Sequence, residues 1–185
     1  MMSGEKNCNF GFMKYLLEKI GDAGVVMVCG VSGSGKTTLA RRLERCGYRM
    51  LSIDRMMWDK HGLSGVDYPE ELYPLYLEEA ETELQKRLDG IIATGGKAVV
   101  DFTFCKRSKR DVYRDFAASR GAGVALVYCD TPLAEIKERL HRRNLTPGPD
   151  SAIVTDEMAE RFFNGFQAPG QDESFIRFCG DKENN

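Results

Sequence analysis

The sequence has little of what metal and redox sites are built from. It holds only two histidines, His61 and His141. Its six cysteines (Cys8, Cys29, Cys46, Cys105, Cys129 and Cys179) form no CxxC pair and have no histidine at ligand spacing. Those absences argue against a zinc framework or a disulfide scaffold. Cys29, Cys129 and Cys179 instead end apolar runs, where a free thiol serves as a small buried hydrophobe. Long apolar runs are missing too. Runs such as Val25 to Cys29 fall far short of the roughly 20 residues that span a bilayer. The opening MMSGEKNCNF has no basic start followed by an apolar stretch, so a secretory leader is not expected. Charge of one sign is also lacking. With 26 basic and 28 acidic side chains the formal net charge is −2, and no bulk field points to nucleic acid or an anionic membrane. What remains is a globular composition, 42% apolar and 29% charged over 185 residues, enough for one domain with its own core. A cytoplasmic protein without membrane attachment is the expectation.

Short apolar runs at Val25–Cys29, Met50–Ile53, Ala98–Val100, Val124–Cys129 and Phe175–Phe178 hardly alternate, which predicts strands buried on both faces of a parallel sheet. The segments between them carry helical spacing. Phe12–Ile20 predicts a short helix within an N-terminal extension, residues 1–23. Thr37–Cys46 predicts a second. From Pro69 to Ile92 the residues Leu77, Ala80, Leu84, Leu88 and Ile91 repeat one face. Ser108 is the expected N-cap of a helix over Ser108–Arg120, and Thr131-Pro132 the N-cap and first residue of the next. A last helix is expected from Thr155, with Met158, Phe162, Phe163 and Phe166 as its apolar side. The Pro/Gly-rich stretch Leu145–Asp150 falls in a lid segment, 139–155, and reads as a mobile loop, while residues 181–185 read as a frayed tail. Strands alternating with helices predict a three-layer α/β domain.

One motif carries chemistry. Gly30-Val31-Ser32-Gly33-Ser34-Gly35-Lys36-Thr37 matches the phosphate-loop pattern GxxxxGK[ST], with an apolar run before it and helical spacing after it. Its glycines let successive backbone N–H groups turn inward toward phosphate oxygens, and the helix opening at Lys36 adds its positive end. In that chemistry Lys36 reaches the β- and γ-phosphates and Thr37 ligates Mg²⁺, with Ser32, Ser34 and Thr38 as further hydroxyl contacts. The expected ligands are therefore ATP and Mg²⁺.

The kind of reaction is narrowed by what surrounds the loop. An NKxD-type guanine reader is absent. Phe102, not an acid, follows the strand Ala98-Val99-Val100-Asp101, so the carboxylate that would orient a hydrolytic water is missing. Transfer to a bound acceptor is favoured over hydrolysis. Asp54, after the second apolar run, is the base candidate for an acceptor hydroxyl; it equally suits orienting that hydroxyl, holding a magnesium water, or capping a helix from Arg55. Asp101 is the second carboxylate, for Mg²⁺ or the acceptor, with a helix cap as its plain alternative. Lys106, Arg107, Lys109, Arg110 and Arg114 form a basic stretch; Arg107 and Arg110 lie nearest the expected sheet edge and are acceptor candidates. Arg139 and Arg143, on one helical face and favoured over Arg142, suit charge on the transferred group. Trp58 is a candidate wall of the acceptor pocket or a core aromatic. His61 and His141 read as structural or exposed, and Tyr68, Tyr73 and Tyr76 as packing residues.

From Val25 to Glu173 the chain resembles the small P-loop kinases with zeta-toxin-like, gluconate-kinase-like and polynucleotide-kinase-like members, a group also known as AAA-family ATPases. The likeness rests on the phosphate loop, Ser52-Ile53-Asp54, Gly95 to Asp101, Arg110, Glu138-Arg139-Leu140 to Arg143, and Phe166-Gln167-Ala168-Pro169 with Asp172-Glu173. It implies a five-stranded parallel sheet in order 2-3-1-4-5 with a small lid. It also implies ATP-dependent phosphorylation of a hydroxyl, with Asp54 as base and Arg139 or Arg143 in the lid. Two positions depart from the pattern: Met57 stands where members often have arginine, and Gln167 where they have an acid. Both bear on the acceptor, not on the nucleotide. The favoured acceptor is a small-molecule hydroxyl; the alternatives are a nucleic-acid 5′-hydroxyl and a nucleotide-dependent switch with no acceptor.

Overall fold

The five apolar runs become five parallel strands. A computed structural model describes residues 5–146 and 153–179. In chain order the strands are β1 (Val25–Cys29), β2 (Arg49–Ser52), β3 (Ala98–Asp101), β4 (Val124–Cys129) and β5 (Ile176–Phe178). The helices are α1 (Glu5–Ile20), α2 (Lys36–Arg45), α3 (Ile53–His61), α4 (Tyr73–Ala93), α5 (Arg107–Ala118), α6 (Leu133–Asn144) and α7 (Asp156–Asn164). A single 3₁₀ turn, Glu70–Leu72, leads into α4. The sheet order is β2-β3-β1-β4-β5 with every neighbour parallel. This is the three-layer P-loop architecture that the resemblance implies.

Parallel strands must be covered on both sides, because βαβ crossovers place helices on both faces. Alternate β1 residues divide accordingly. Val25, Met27 and Cys29 pack with Leu84, Leu88, Tyr113 and Ala117 of α4 and α5. Val26 and Val28 pack with Leu16 of α1 and Leu39 and Leu43 of α2. A third cluster joins Val31 of the phosphate loop to Ile136 and Leu140 of α6 and Ala159 of α7. The lid helices are thus rooted in the loop they cover.

Several boundaries differ from expectation, each for a local reason. α1 starts earlier than Phe12, at Glu5, and buries Leu16 and Ile20. β2 ends at Ser52, not Ile53, since the Ser52 hydroxyl accepts from the Arg55 N–H at 3.4 Å and caps α3. Asp54 is therefore the second residue of α3, where its charge meets the helix's positive end, and Ser52 takes the capping role. Ser108 does not cap α5; Lys106 stands at that position without a side-chain cap, and the Gln167 side-chain oxygen accepts from the Arg107 N–H instead. Thr131 does not cap α6 either, as its hydroxyl donates to the Ser34 carbonyl at 3.0 Å. Thr155 does cap α7, but Phe162 and Phe163 stay exposed while Ala159 is the buried residue of that helix. Cys29 and Cys129 are buried, their thiols pushed up by burial, Cys29 to about 12. Cys46 and Cys105 are exposed and Cys179 half-buried. Residues 147–152 of the expected lid segment, which include 147–150 of the expected mobile loop, and the tail 181–185 lie outside the described residues. Among the described residues no helix is long and apolar enough to cross a membrane.

Candidate active site at the phosphate loop

The loop between β1 and α2 is shaped by three glycines in the left-handed region, Gly30 (φ 145°), Gly33 (φ 83°) and Gly35 (φ 100°). Space is as restrictive as φ. A Cβ on Gly30 would sit 2.6 Å from the Ser34 hydroxyl and 2.9 Å from the Cys129 carbonyl oxygen. One on Gly33 would meet Leu140 at 3.0 Å. The sequence therefore spends glycine where the chain must turn and where α6 presses on it.

Around this turn the polar groups converge. The Lys36 ammonium is nearly buried and donates to the Val31 carbonyl at 2.9 Å, so it already lies folded back over the loop. The Thr37 hydroxyl donates to Asp101 at 2.7 Å. Asp101 is buried at the end of β3, whose parallel register sets it beside Val28 of β1. The Ser34 hydroxyl is fully buried and meets no hydrogen-bond partner among the described residues. Buried polar groups are nearly always satisfied, so an orphan in a phosphate loop points to a ligand oxygen. Thr38 is exposed on the outer side of α2.

The two lid arginines reach the same loop. Arg139 donates to the carbonyl oxygens of Gly33 at 3.4 Å and Ser34 at 3.2 Å, and pairs with Glu135 at 2.5 Å. Arg143 donates to the Ser32 hydroxyl at 3.1 Å. Arg142 turns outward to Glu138.

On the other side of the loop, Asp54 is exposed at the head of α3, with half-buried Trp58 one turn on. The Tyr73 residue keeps 40% of its surface exposed, yet its hydroxyl end is enclosed. Burial first, then the Asp54 carboxylate, pushes that hydroxyl up to about 12, with Tyr68 and Cys105 as further charge neighbours. Asp54 and Cys105 thus lie within electrostatic range of the Tyr73 hydroxyl. Phe102 packs edge-on against Phe104 at 5.2 Å. Phe104 adopts a left-handed φ of 47°, and Thr103 beside it accepts from the Gly30 N–H at 3.2 Å.

Arg107 and Arg110 do not line this edge as open donors. Arg107 pairs with Asp172 and Asp111. Arg110 is fully buried, grips Glu173 with Nε and a terminal nitrogen, and donates to the Phe104 and Gln167 carbonyls. Sequence reasoning did not assign Thr131, Tyr73, Gln167 or Glu173 to the site. Pairing of Asp172 and Glu173 with a basic stretch some sixty residues earlier leaves no local signature. His61 stacks flat on Tyr76 at 3.6 Å, and His141 meets Asp156; both are structural or exposed, as read.

A family model described as an AAA domain matches residues 25–169. None of the curated proteins matches the chain. Among solved structures, a gluconokinase from Sinorhizobium meliloti 1021 aligns over 84% of this chain and 81% of its own, at 21% identity and TM-score 0.56. A sugar kinase from Janibacter sp. HTCC2649 aligns over 85% of each at 23% identity and TM-score 0.57. Kti12 from Chaetomium thermophilum, solved with ADP-AlF3, aligns over 86% of this chain and 91% of its own at 18% identity and TM-score 0.61. The fold is that of the small P-loop kinases.

Proposed function

The chain belongs to the AAA-domain family, and from that premise we propose that it is an ATP-dependent phosphotransferase that moves the γ-phosphoryl group to a hydroxyl of a small molecule. The observation that carries this reading is the Thr37–Asp101 contact at 2.7 Å, a hydroxyl and a carboxylate joined at the head of the phosphate loop. The donor set fits magnesium. Both are hard oxygen ligands, and among the described residues no cluster of three ligating side chains competes, which suits an ion that draws its other ligands from phosphate and water. When bound, Mg²⁺ neutralises charge on the phosphate oxygens.

The chain's own residues account for the rest. Backbone N–H groups over 30–37 and the orphaned Ser34 hydroxyl face the phosphates, while Lys36 exchanges its Val31 carbonyl for a phosphate oxygen. Arg139 and Arg143 reach the loop from α6 and meet charge developing on the transferred group. The acceptor oxygen attacks the γ-phosphorus, the bond to the β–γ bridging oxygen breaks, ADP leaves, and Asp54 takes the hydroxyl proton. Phe102 beside Asp101 provides no carboxylate for a water, which supports transfer over hydrolysis. Pairing of Arg107, Lys109, Arg110 and Arg114 with acids weighs against a nucleic-acid acceptor. The test is incubation with γ-labelled ATP, Mg²⁺ and a library of hydroxyl compounds. Acceptor-dependent label transfer, lost in Lys36→Ala, is expected; acceptor-independent hydrolysis as the sole activity overturns the reading.

A further inference from the structure

We infer that the acceptor is an uncharged alcohol with an apolar or aromatic body, and not a phosphorylated, carboxylated or polynucleotide one. The inference deepens the transferase reading and rests on it. It comes from how the cations of α3, α5 and α6 are paired.

An anionic acceptor needs positive groups whose charge is not already matched, because a carboxylate or phosphate leaving water must recover its hydration from the protein. On α5 and α3 most of the cations are paired with acids. Arg107 is held by Asp172 and Asp111, Lys109 by Glu81 at 2.7 Å, and Arg114 by Asp111 at 2.7 Å. Arg110 is sealed against Glu173. On α3, Arg55 faces Asp59 and Lys60 faces Glu79, while Met57 is buried in the core. Lys106, exposed at the head of α5, is the one charge of the basic stretch outside these pairs among the described residues. A single solvated lysine adds little. Along α3, Trp58 stands one turn from Asp54, and that carboxylate is a charge neighbour of the Tyr73 hydroxyl, so aromatic rings border the acid.

The lid side has the same character. Arg139 and Arg143 are committed to the phosphate loop. Beneath α7 lies a cavity of about 140 Å³ that adjoins the phosphate loop at Val31. Tyr128, Phe163, Phe166 and Ala168 complete its apolar wall, and its Thr131 hydroxyl is engaged with Ser34. Apolar cavities of roughly 150 Å³ hold a benzene-sized ring. Both approaches to the loop therefore favour an uncharged, ring-bearing molecule.

The experiment compares matched compounds that differ in charge: adenosine with adenosine 5′-monophosphate, and phenyl glucoside with phenyl glucuronide. A 5′-hydroxyl oligonucleotide completes the panel. Transfer is read from γ-labelled ATP with Mg²⁺, and binding from Trp58 fluorescence with a non-hydrolysable ATP analogue and Mg²⁺. Uncharged members are expected to be favoured at least tenfold in kcat/KM or Kd. Ala168→Leu, which fills the cavity, is expected to weaken the phenyl glucoside at least tenfold while leaving affinity for the ATP analogue unchanged. Equal or better use of an anionic member, no binding of any uncharged member, or indifference to Ala168→Leu overturns the inference. Preferential binding of uncharged members without transfer to any of them sinks the transferase reading alone and leaves the charge preference standing.

Discussion

Arg110 and Glu173 face each other through two parallel contacts, Nε to Oε2 at 2.8 Å and a terminal nitrogen to Oε1 at 2.5 Å, with both side chains almost wholly buried. The remaining terminal nitrogen of Arg110 reaches the carbonyls of Phe104 and Gln167. One guanidinium thus ties three segments together: α5, the loop after β3, and the passage between α7 and β5. Gln167 reinforces the joint, since its N–H donates to the Cys105 carbonyl while its side chain accepts from Arg107. Because Thr103 of the same loop holds the Gly30 N–H, the joint also borders the phosphate loop.

Breaking this pair from one side leaves a buried charge. Glu173→Ala is expected to lower unfolding free energy by about 3–5 kcal/mol, measured by urea denaturation. The double variant Arg110→Met/Glu173→Leu should lose much less, because no charge is then stranded.

The same pair makes stability depend on acid. The guanidinium holds the Glu173 carboxyl down to about 2 from an ordinary value near 4.5. A depressed carboxylate contributes in full above its unfolded value, and that contribution drains as pH falls from 4.5 toward 2, by about 3 kcal/mol. Denaturation midpoints of Glu173→Gln should vary much less over this window. An unchanged acid limb in that variant would remove Glu173 as its source.

Ser34 separates folding from binding. Its hydroxyl is buried without a partner, so Ser34→Ala is expected to leave the nucleotide-free protein unchanged or about 1 kcal/mol more stable. Affinity for MgATP, read by calorimetry, should fall about tenfold, the worth of one hydrogen bond to a charged group.

The two carboxylates should divide by role. Asp101→Asn removes the acceptor of the Thr37 hydroxyl, and the Mg²⁺ concentration for half-maximal activity is expected to rise about tenfold or more. Asp54→Asn should leave MgATP affinity within about twofold and cut transfer by roughly 10²–10⁴. Equal effects of both variants on Mg²⁺ dependence would contradict separate roles.

Salt reports on the basic stretch of α5. With Arg107, Lys109, Arg110 and Arg114 paired to acids, oligonucleotide binding should neutralise few phosphates. A plot of log affinity against log salt is expected to have a slope no steeper than about −2. A slope near −5 would mean that those pairs open to admit phosphates.

The elements and the phosphate loop were legible because their signals are local. Gly30, Gly33 and Gly35 are spaced by the turn they make, and Leu84, Leu88 and Ile91 by the helix they line. Where the reading slipped, two local signals competed for one residue. The cap read as the plain alternative for Asp54 is taken by Ser52, two residues earlier. Thr131 had a capping sequence, but its hydroxyl found a buried carbonyl in the phosphate loop.

Chain order alone dictated where the glycine loop turns and how helices alternate with strands, since both follow from spacings within a dozen residues. Which charges remain open for a ligand was settled by packing. Thr37 meets Asp101 across 64 positions and Arg110 meets Glu173 across 63. A charged side chain's partner depends on which distant elements the sheet brings together, and the strength of that pairing on how much water the contact excludes.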